Sequence, residues 1–343
     1  MALRLTRRVF SGTLASSIGA TLLAAPAIVR AVEPLKIRCS LDTAAGHLRN
    51  VSMVDYLKKV EQASNGRIVG EVFHAGALYA DMNVAKALLQ GQVEMCAPGT
   101  WTLTGLVPDC DFVQLPAFYG RSLETTHKAT DGKAGQFVSR ALEAKLQSHM
   151  LGPWLDLGFQ NWYTTRKPIQ SLADLKGLKI RSAGGVGIGW RIKLLGGIAN
   201  VTPWPNVPLA LTQGTFDGLV TTDQSIVSDK LWEAGIRHVY ADHTFVAQYI
   251  PMIAGAFWSK LPPQDQAIMT QVWADNIGTY RAAMAGAQQD ARGTMEKNGI
   301  TFCDPSAETL AADRTRMMAD QDTLIRGAKL SPEVVALVAE ALG

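Results

Sequence analysis

The sequence has little of what covalent or metal chemistry needs. Only four cysteines occur in 343 residues, too few for a disulfide-built scaffold, and their spacing fits no zinc pattern. The six histidines (His47, His74, His127, His149, His238 and His243) are scattered. None forms a His-Glu-x-x-His or comparable ligand spacing; His238 and His243, five apart, come nearest. No Gly-x-Ser-x-Gly elbow presents a nucleophile. No catalytic group, metal or cofactor is therefore expected. Charge is scarce too, at 18% against 47% hydrophobic residues, which excludes a disordered chain. The lack of a basic run beyond the N-terminus excludes a nucleic-acid binder. What the chain does have is length and apolar mass for two or three domain-sized units, without a fixed-period repeat.

Charge is unevenly placed. Residues 1–31 carry Arg4, Arg7, Arg8 and Arg30 and no acidic residue, while the whole chain has 33 basic and 30 acidic residues. Without those four arginines the balance is 29 against 30. Thr6-Arg7-Arg8-Val9-Phe10 leads into an uncharged stretch from Val9 to Val29, and Val29-Arg30-Ala31 sets compact residues before a cleavage point. A basic start, apolar middle and small-residue end predict a secretory signal, and the paired arginines predict the twin-arginine route. The alternative is an uncleaved membrane anchor, against which Ser11, Gly12, Ser16, Gly19 and Pro26 dilute the apolar run. The mature protein is expected in the periplasm, starting near Val32. In that oxidising compartment Cys39, Cys96, Cys110 and Cys303 are either buried free thiols, the favoured reading, or include a Cys96–Cys110 pair.

The body alternates strands and helices. Residues 35–41 read as a strand, 42–47 as a loop and 51–63 as a helix with an apolar stripe of Met53, Val54, Leu57 and Val60. Asn65-Gly66 ends that helix. Strands follow at 68–73 and 93–96, around a helix over 83–90 that stops at Gly91. An apolar extended run covers 150–159. Beyond it, strands read at 178–181, 198–201, 216–222 and 252–258, with helices from Trp190 and over 207–213. From Pro263 to Gly299 the pattern is mostly helical. This order predicts an α/β fold with two units joined by extended crossings.

Two local features invite a ligand. Gly184, Gly185, Gly187 and Gly189 lie between a strand and a helix, as in a dinucleotide site. Trp190 replaces the third glycine of that fingerprint, and no acidic residue follows at the required offset. A flexible loop beside a cleft is the better expectation. Trp101, Trp154, Trp162, Trp190 and Trp204 lie near strand ends and suggest a cleft with flat apolar walls.

The run from Lys167 to Arg181, KPIQSLADLKGLKIR, resembles the signature of the substrate-binding proteins of TRAP (tripartite, ATP-independent, periplasmic) transporters. Further similar pieces follow in order. They are Phe73 to Leu78, Leu88 to Met95 with Glu94 for an Asp, Leu115 to Phe118, Gly196-Gly197 with Thr202-Pro203, Ala210 to Gly218, and Leu261-Pro262 with Gln266. They span essentially the whole mature chain.

The resemblance implies a periplasmic-binding-protein-like α/β fold: two domains around a central cleft, joined by crossing strands and a long helix. Residues 32–155 with about 246–285 would form one domain, and 156–245 with about 286–343 the other with the C-terminal helices. It makes Arg181 the ligand anchor, since a guanidinium fork grips a carboxylate through two charge-assisted hydrogen bonds. Trp204, Thr221, Thr222, Gln160, Asn161, Trp101 and Asp42 fall at or beside further contact positions. Where many members carry a second Arg, this chain has Gly158-Phe159-Gln160-Asn161, which favours a monocarboxylate over a dicarboxylate. The implied function is capture of a small organic acid and its delivery to small and large membrane permease subunits, without catalysis. Two other classes remain: a ligand-sensing subunit of a signalling system, and an exported enzyme using Asp109, Asp111, Asp217 or Asp223.

Overall fold

The computed structural model describes residues 33–343; the leader with its paired arginines lies outside the described residues. From Pro34 onward the chain forms one compact unit built on two sheets.

The first half runs β1 (Leu35–Ser40), α1 (Leu48–Ala63), β2 (Ile68–Phe73), α2 (Asp81–Leu89), β3 (Met95–Cys96), α3 (Thr100–Leu103), α4 (Leu123–Thr130), α5 (Lys133–Leu146), β4 (Ser148–Met150) and β5 (Leu155–Phe159). Then come β6 (Asn161–Thr164), β7 (Lys179–Ser182), α6 (Val186–Leu194), β8 (Ile198–Val201), α7 (Val207–Thr212), β9 (Gly218–Thr221), α8 (Asp223–Ser228), β10 (His238–Tyr240) and β11 (Val246–Tyr249). The chain ends with β12 (Met252–Ala254), α9 (Gly255–Trp258), α10 (Pro263–Lys297), β13 (Thr301–Cys303), α11 (Ala307–Met318), α12 (Gln321–Ala328) and α13 (Pro332–Leu342). A tight helical turn at Pro108–Gln114 follows α3.

The first sheet has the order β2-β1-β3-β12-β4 and the second β13-β10-β6-β9-β7-β8. Within the first, β1 pairs parallel with β2 and β3, while β12 runs antiparallel to β3 and β4. Three segments link the two halves. β5 leaves the first sheet for the second, β11 returns antiparallel beside it with an irregularity between Ala247 and Gln248, and α10 packs on both α1 and α8. At 35 residues, α10 is about 52 Å long, enough to back both lobes. This is the two-domain α/β arrangement that the sequence implies.

Local chemistry sets the element ends. Asn65 and Gly66 adopt positive φ of 51° and 77° after α1, as the Asn-Gly pair predicts. Pro263 and Pro332 open α10 and α13, where a missing N–H costs nothing. α1 starts earlier than its apolar stripe suggests because His47 caps it, Nδ1 accepting from the Arg49 backbone N–H at 3.1 Å. The expected strand over 252–258 ends at Ala254 and turns into α9. A Cβ on Gly255 would lie 2.2 Å from the Gln147 carbonyl oxygen, so only glycine fits at that switch. Of residues 286–343, which from sequence group with the second domain, β13 joins the second sheet, whereas α13 packs on α4 and α5. All four cysteines are free, and Cys39, Cys96 and Cys110 are buried. Among the described residues no helix is long and apolar enough to cross a membrane.

Candidate functional site

The two sheets meet at a cleft. Its walls come from the ends of β1, β7 and β9, from α2, α3 and α8, and from the crossing strands β5 and β11. Six of the eight expected site residues line it: Asp42, Trp101, Gln160, Arg181, Trp204 and Thr221.

Asn161 and Thr222 do not line it, which corrects the expectation for both. Successive residues of an extended chain point to opposite sides. Gln160 and Thr221 take the cavity side, while Asn161 and Thr222 turn inward. Asn161 donates to Asp223 Oδ1 at 3.1 Å and accepts from the His243 backbone N–H at 3.0 Å. Thr222 pairs its hydroxyl with Ser225 at 3.1 Å.

Arg181 is the unusual member. It projects from β7 and is only 2% exposed. Nε donates to the Thr202 carbonyl at 2.9 Å, and the Trp204 ring lies 5.3 Å from the guanidinium carbon. Nη2 is buried without a hydrogen-bond partner, and no carboxylate lies within ion-pair distance among the described residues. Burial pulls its pKa down to about 10, against the attraction of Asp42. Buried charges are ordinarily paired, which sets this cation apart.

Asp42 has a different partner from the one its position suggests. It binds Arg49 Nη2 at 2.6 Å, and Arg49 Nη1 binds Asp81 Oδ2 at 2.8 Å. Arg49 also donates to the Ala97 carbonyl at 3.0 Å and stacks 4.1 Å from the Tyr249 ring centre. Burial works against its charge, but Asp81, Tyr249 and Asp42 together raise its pKa. Burial pushes the Asp81 carboxyl up, with Arg49 pulling the other way.

Gln160, at the position where a second cation is absent, accepts from Arg191 Nη2 at 2.8 Å. That guanidinium is buried behind the cavity wall, 4.3 Å from the Phe245 ring centre. The aromatic expectation divides. Trp101 and Trp204 line the cleft, Trp101 edge-on to Tyr249 at 5.5 Å. Trp154 and Trp162 are core residues, and Trp190 is half-buried, donating to Asp320 at 2.7 Å. Two glycines of the cluster, Gly185 and Gly187, sit where a side chain would crowd its neighbours, while Gly189 has open space. A Cβ on Gly185 would sit 3.1 Å from Trp101 Cβ, and one on Gly187 2.5 Å from Gln114 Cβ. There Asp111 accepts from the backbone N–H groups of Val186 and Gly187 at 2.7 and 3.1 Å.

Asp81, Tyr249 and Ser225 line the cavity as well, and sequence reasoning missed them. Asp81 opens a helix whose apolar pattern starts later, and Tyr249 sits on a crossing strand with no motif of its own. Among the described residues no cluster of three or more metal-ligating side chains occurs.

Residues 42–326 match the family model of the bacterial extracellular solute-binding protein, family 7. The chain belongs to this family. As a family 7 member it is 26% identical over 310 residues to the C4-dicarboxylate-binding periplasmic protein of Rhodobacter capsulatus, covering 90% of this chain and 91% of that one. Among solved structures, it superposes with a TM-score of 0.85 on the sugar acid binding protein of Advenella mimigardefordensis in complex with galactonate, at 22% identity over 91% of this chain and 98% of that one. A TRAP periplasmic solute-binding protein from Sulfurospirillum deleyianum with bound succinate gives 0.82, at 22% identity over 90% and 99%. The family 7 fold and the resemblance read from Lys167 to Arg181 thus agree.

Proposed function

We propose that this chain captures a small organic carboxylate in the Arg181 cleft and delivers it, unchanged, to the small and large membrane subunits of a TRAP transporter. The observation that carries this reading is the Arg181 guanidinium, buried at the cavity with Nη2 unbonded. A ligand carboxylate supplies the missing charge and acceptors in a planar, two-pronged geometry. The ligands named for the relatives above are C4-dicarboxylates, galactonate and succinate, all carboxylates, which supports the assignment. Arg181 is the sole cation lining the cavity among the described residues, which favours one carboxylate per ligand. Residues 156–245 and the first-sheet segments form the two closing domains, with β5, β11 and α10 as the links that bend. The leader directs export by the twin-arginine route and is removed near Ala31. Arg7→Lys with Arg8→Lys is expected to abolish periplasmic accumulation; unchanged accumulation would assign the general secretory route.

A melting-temperature screen of organic acids, followed by calorimetry, tests the ligand reading, because ligand at 100 times its Kd adds about 2.7 kcal/mol to stability. Arg181→Ala is expected to weaken binding by about 2–5 kcal/mol, and Arg181→Lys to restore part of that. Wild-type affinity in a folded Arg181→Ala protein would overturn the assignment.

A further inference from the structure

Arg191 is a second buried guanidinium without a counter-ion, and its side-chain hydrogen bond ends on the cavity wall. It projects from α6 and is buried between two rings, its guanidinium carbon 5.2 Å from the Trp162 ring centre and 4.3 Å from that of Phe245. Nε has no hydrogen-bond partner, and no carboxylate lies within ion-pair distance among the described residues. Burial pulls its pKa down to about 10, against the attraction of Asp242. Nη2 donates to Gln160 Oε1 at 2.8 Å. Gln160 lines the cavity, while Arg191 stands behind it.

We propose that Arg191 is a positioning residue: it fixes the Gln160 side-chain amide with its oxygen turned back into the protein, so that the NH₂ group is what Gln160 offers a bound ligand. This rests on the carboxylate reading of the cleft. A side-chain amide can present either end, and the two ends differ as a donor differs from an acceptor. A guanidinium carries donors only, so the amide oxygen is the one end that can face Arg191. The planar guanidinium is itself held between Trp162 and Phe245, so it has little freedom to follow a flipped amide. Gln160 makes no other side-chain hydrogen bond among the described residues, which leaves its NH₂ group for an oxygen of the ligand. Turned the other way, the amide would set its oxygen against an anion. The charge behind the amide also polarises it and strengthens its N–H groups as donors. A buried cation that forms no ion pair is costly; holding a cavity-lining amide in one orientation is a role that a neutral donor fills less firmly.

Calorimetry with succinate, galactonate, lactate and pyruvate selects the tightest-bound acid, which then serves as the probe in a double-mutant cycle of Arg191→Met and Gln160→Met. Methionine fills the space between the two rings without bringing a donor. The loss of affinity on Arg191→Met is expected to be about fivefold greater in the protein that has Gln160 than in Gln160→Met. Direct attraction between the Arg191 charge and the acid is lost in both backgrounds and cancels, as does a general loosening of the fold. Arg191→Lys keeps a charged donor and is expected to recover part of the loss. Equal losses in the two backgrounds would overturn the proposal. Gln160→Glu tests it with Arg191 intact. The new carboxylate pairs with Arg191, so the melting temperature is expected to hold or rise, while the probe binds about tenfold or more weakly because an acceptor has replaced the NH₂ group. Wild-type affinity in Gln160→Glu would overturn the proposal even if Arg191→Met does not fold, and either negative result leaves the Arg181 reading standing. If none of these acids binds the wild-type protein, the carboxylate reading falls and this inference with it.

Discussion

The Arg181 guanidinium carbon lies 5.3 Å from the centre of the Trp204 ring, so the one cation lining the cavity among the described residues rests against an aromatic wall. Trp204 is fixed in turn by its Nε1, which donates to Asp229 Oδ2 at 3.3 Å. An aromatic face holds a desolvated guanidinium without neutralising it.

Trp204→Ala is expected to weaken carboxylate binding by about 1–3 kcal/mol, from lost cation–π attraction and apolar contact. Trp204→Phe keeps a ring face and loses the Asp229 bond, so its cost is expected to be smaller. Calorimetry with the tightest acid from the screen measures both. An Ala variant that binds like wild type would reduce Trp204 to packing alone.

Asp111 gives a pH dependence with a definite sign. Burial raises its carboxyl from the ordinary 3.8 to about 6, against the stabilising bonds from Gly187 and Val186. The folded state then prefers the protonated form. The penalty of about 3 kcal/mol on the ionised form applies in full above pH 6, shrinks as pH falls through 6, and is gone below about 4. Asp111→Asn keeps an acceptor for the α6 N-terminus without the charge. It is expected to be about 1–3 kcal/mol more stable than wild type at pH 7.5, allowing for the lost helix-terminus attraction, with the two converging by about pH 4. Urea unfolding across that range checks it; parallel pH profiles would show that Asp111 titrates normally.

Two glycines of α6 are expected to behave oppositely. Gly187→Ala puts a methyl 2.5 Å from Gln114 Cβ, an atom that moves only with its backbone, so it is expected to destabilise by about 1–3 kcal/mol. At Gly189 an added Cβ meets nothing within 4 Å, so Gly189→Ala is expected to stabilise by about 0.5–1 kcal/mol through helix propensity. Melting temperatures of the pair decide between close packing and flexibility; the same sign for both would refute the packing role of Gly187.

Much of the frame was legible locally. β2, β8 and α10 follow from apolar runs and from Asn65-Gly66, Pro263 and Gly299, because periodicity and turn chemistry act over a few residues. β3 falls at Met95–Cys96, inside the strand expected over 93–96. The crossing strand β11, which brings Tyr249 to the cavity, was not legible: it has no sequence signal separating it from any other buried segment.

By itself the sequence determined the family and the two-sheet α/β frame, and singled out Arg181, because motif order and periodicity are properties of the linear chain. Only the tertiary structure decided which charges are free. Arg49 and Arg181 are alike in composition terms, yet Arg49 is held by Asp42 and Asp81, while Arg181 has a carbonyl and an aromatic ring for company. Gln160 and Asn161 are neighbours with similar chemistry, and strand alternation sends one to the cavity and the other to Asp223. Pairing and facing depend on groups far apart in sequence, such as Arg49 with Asp81 or Asp111 with Gly187, and only chain folding brings those groups within the few ångströms over which hydrogen bonds act.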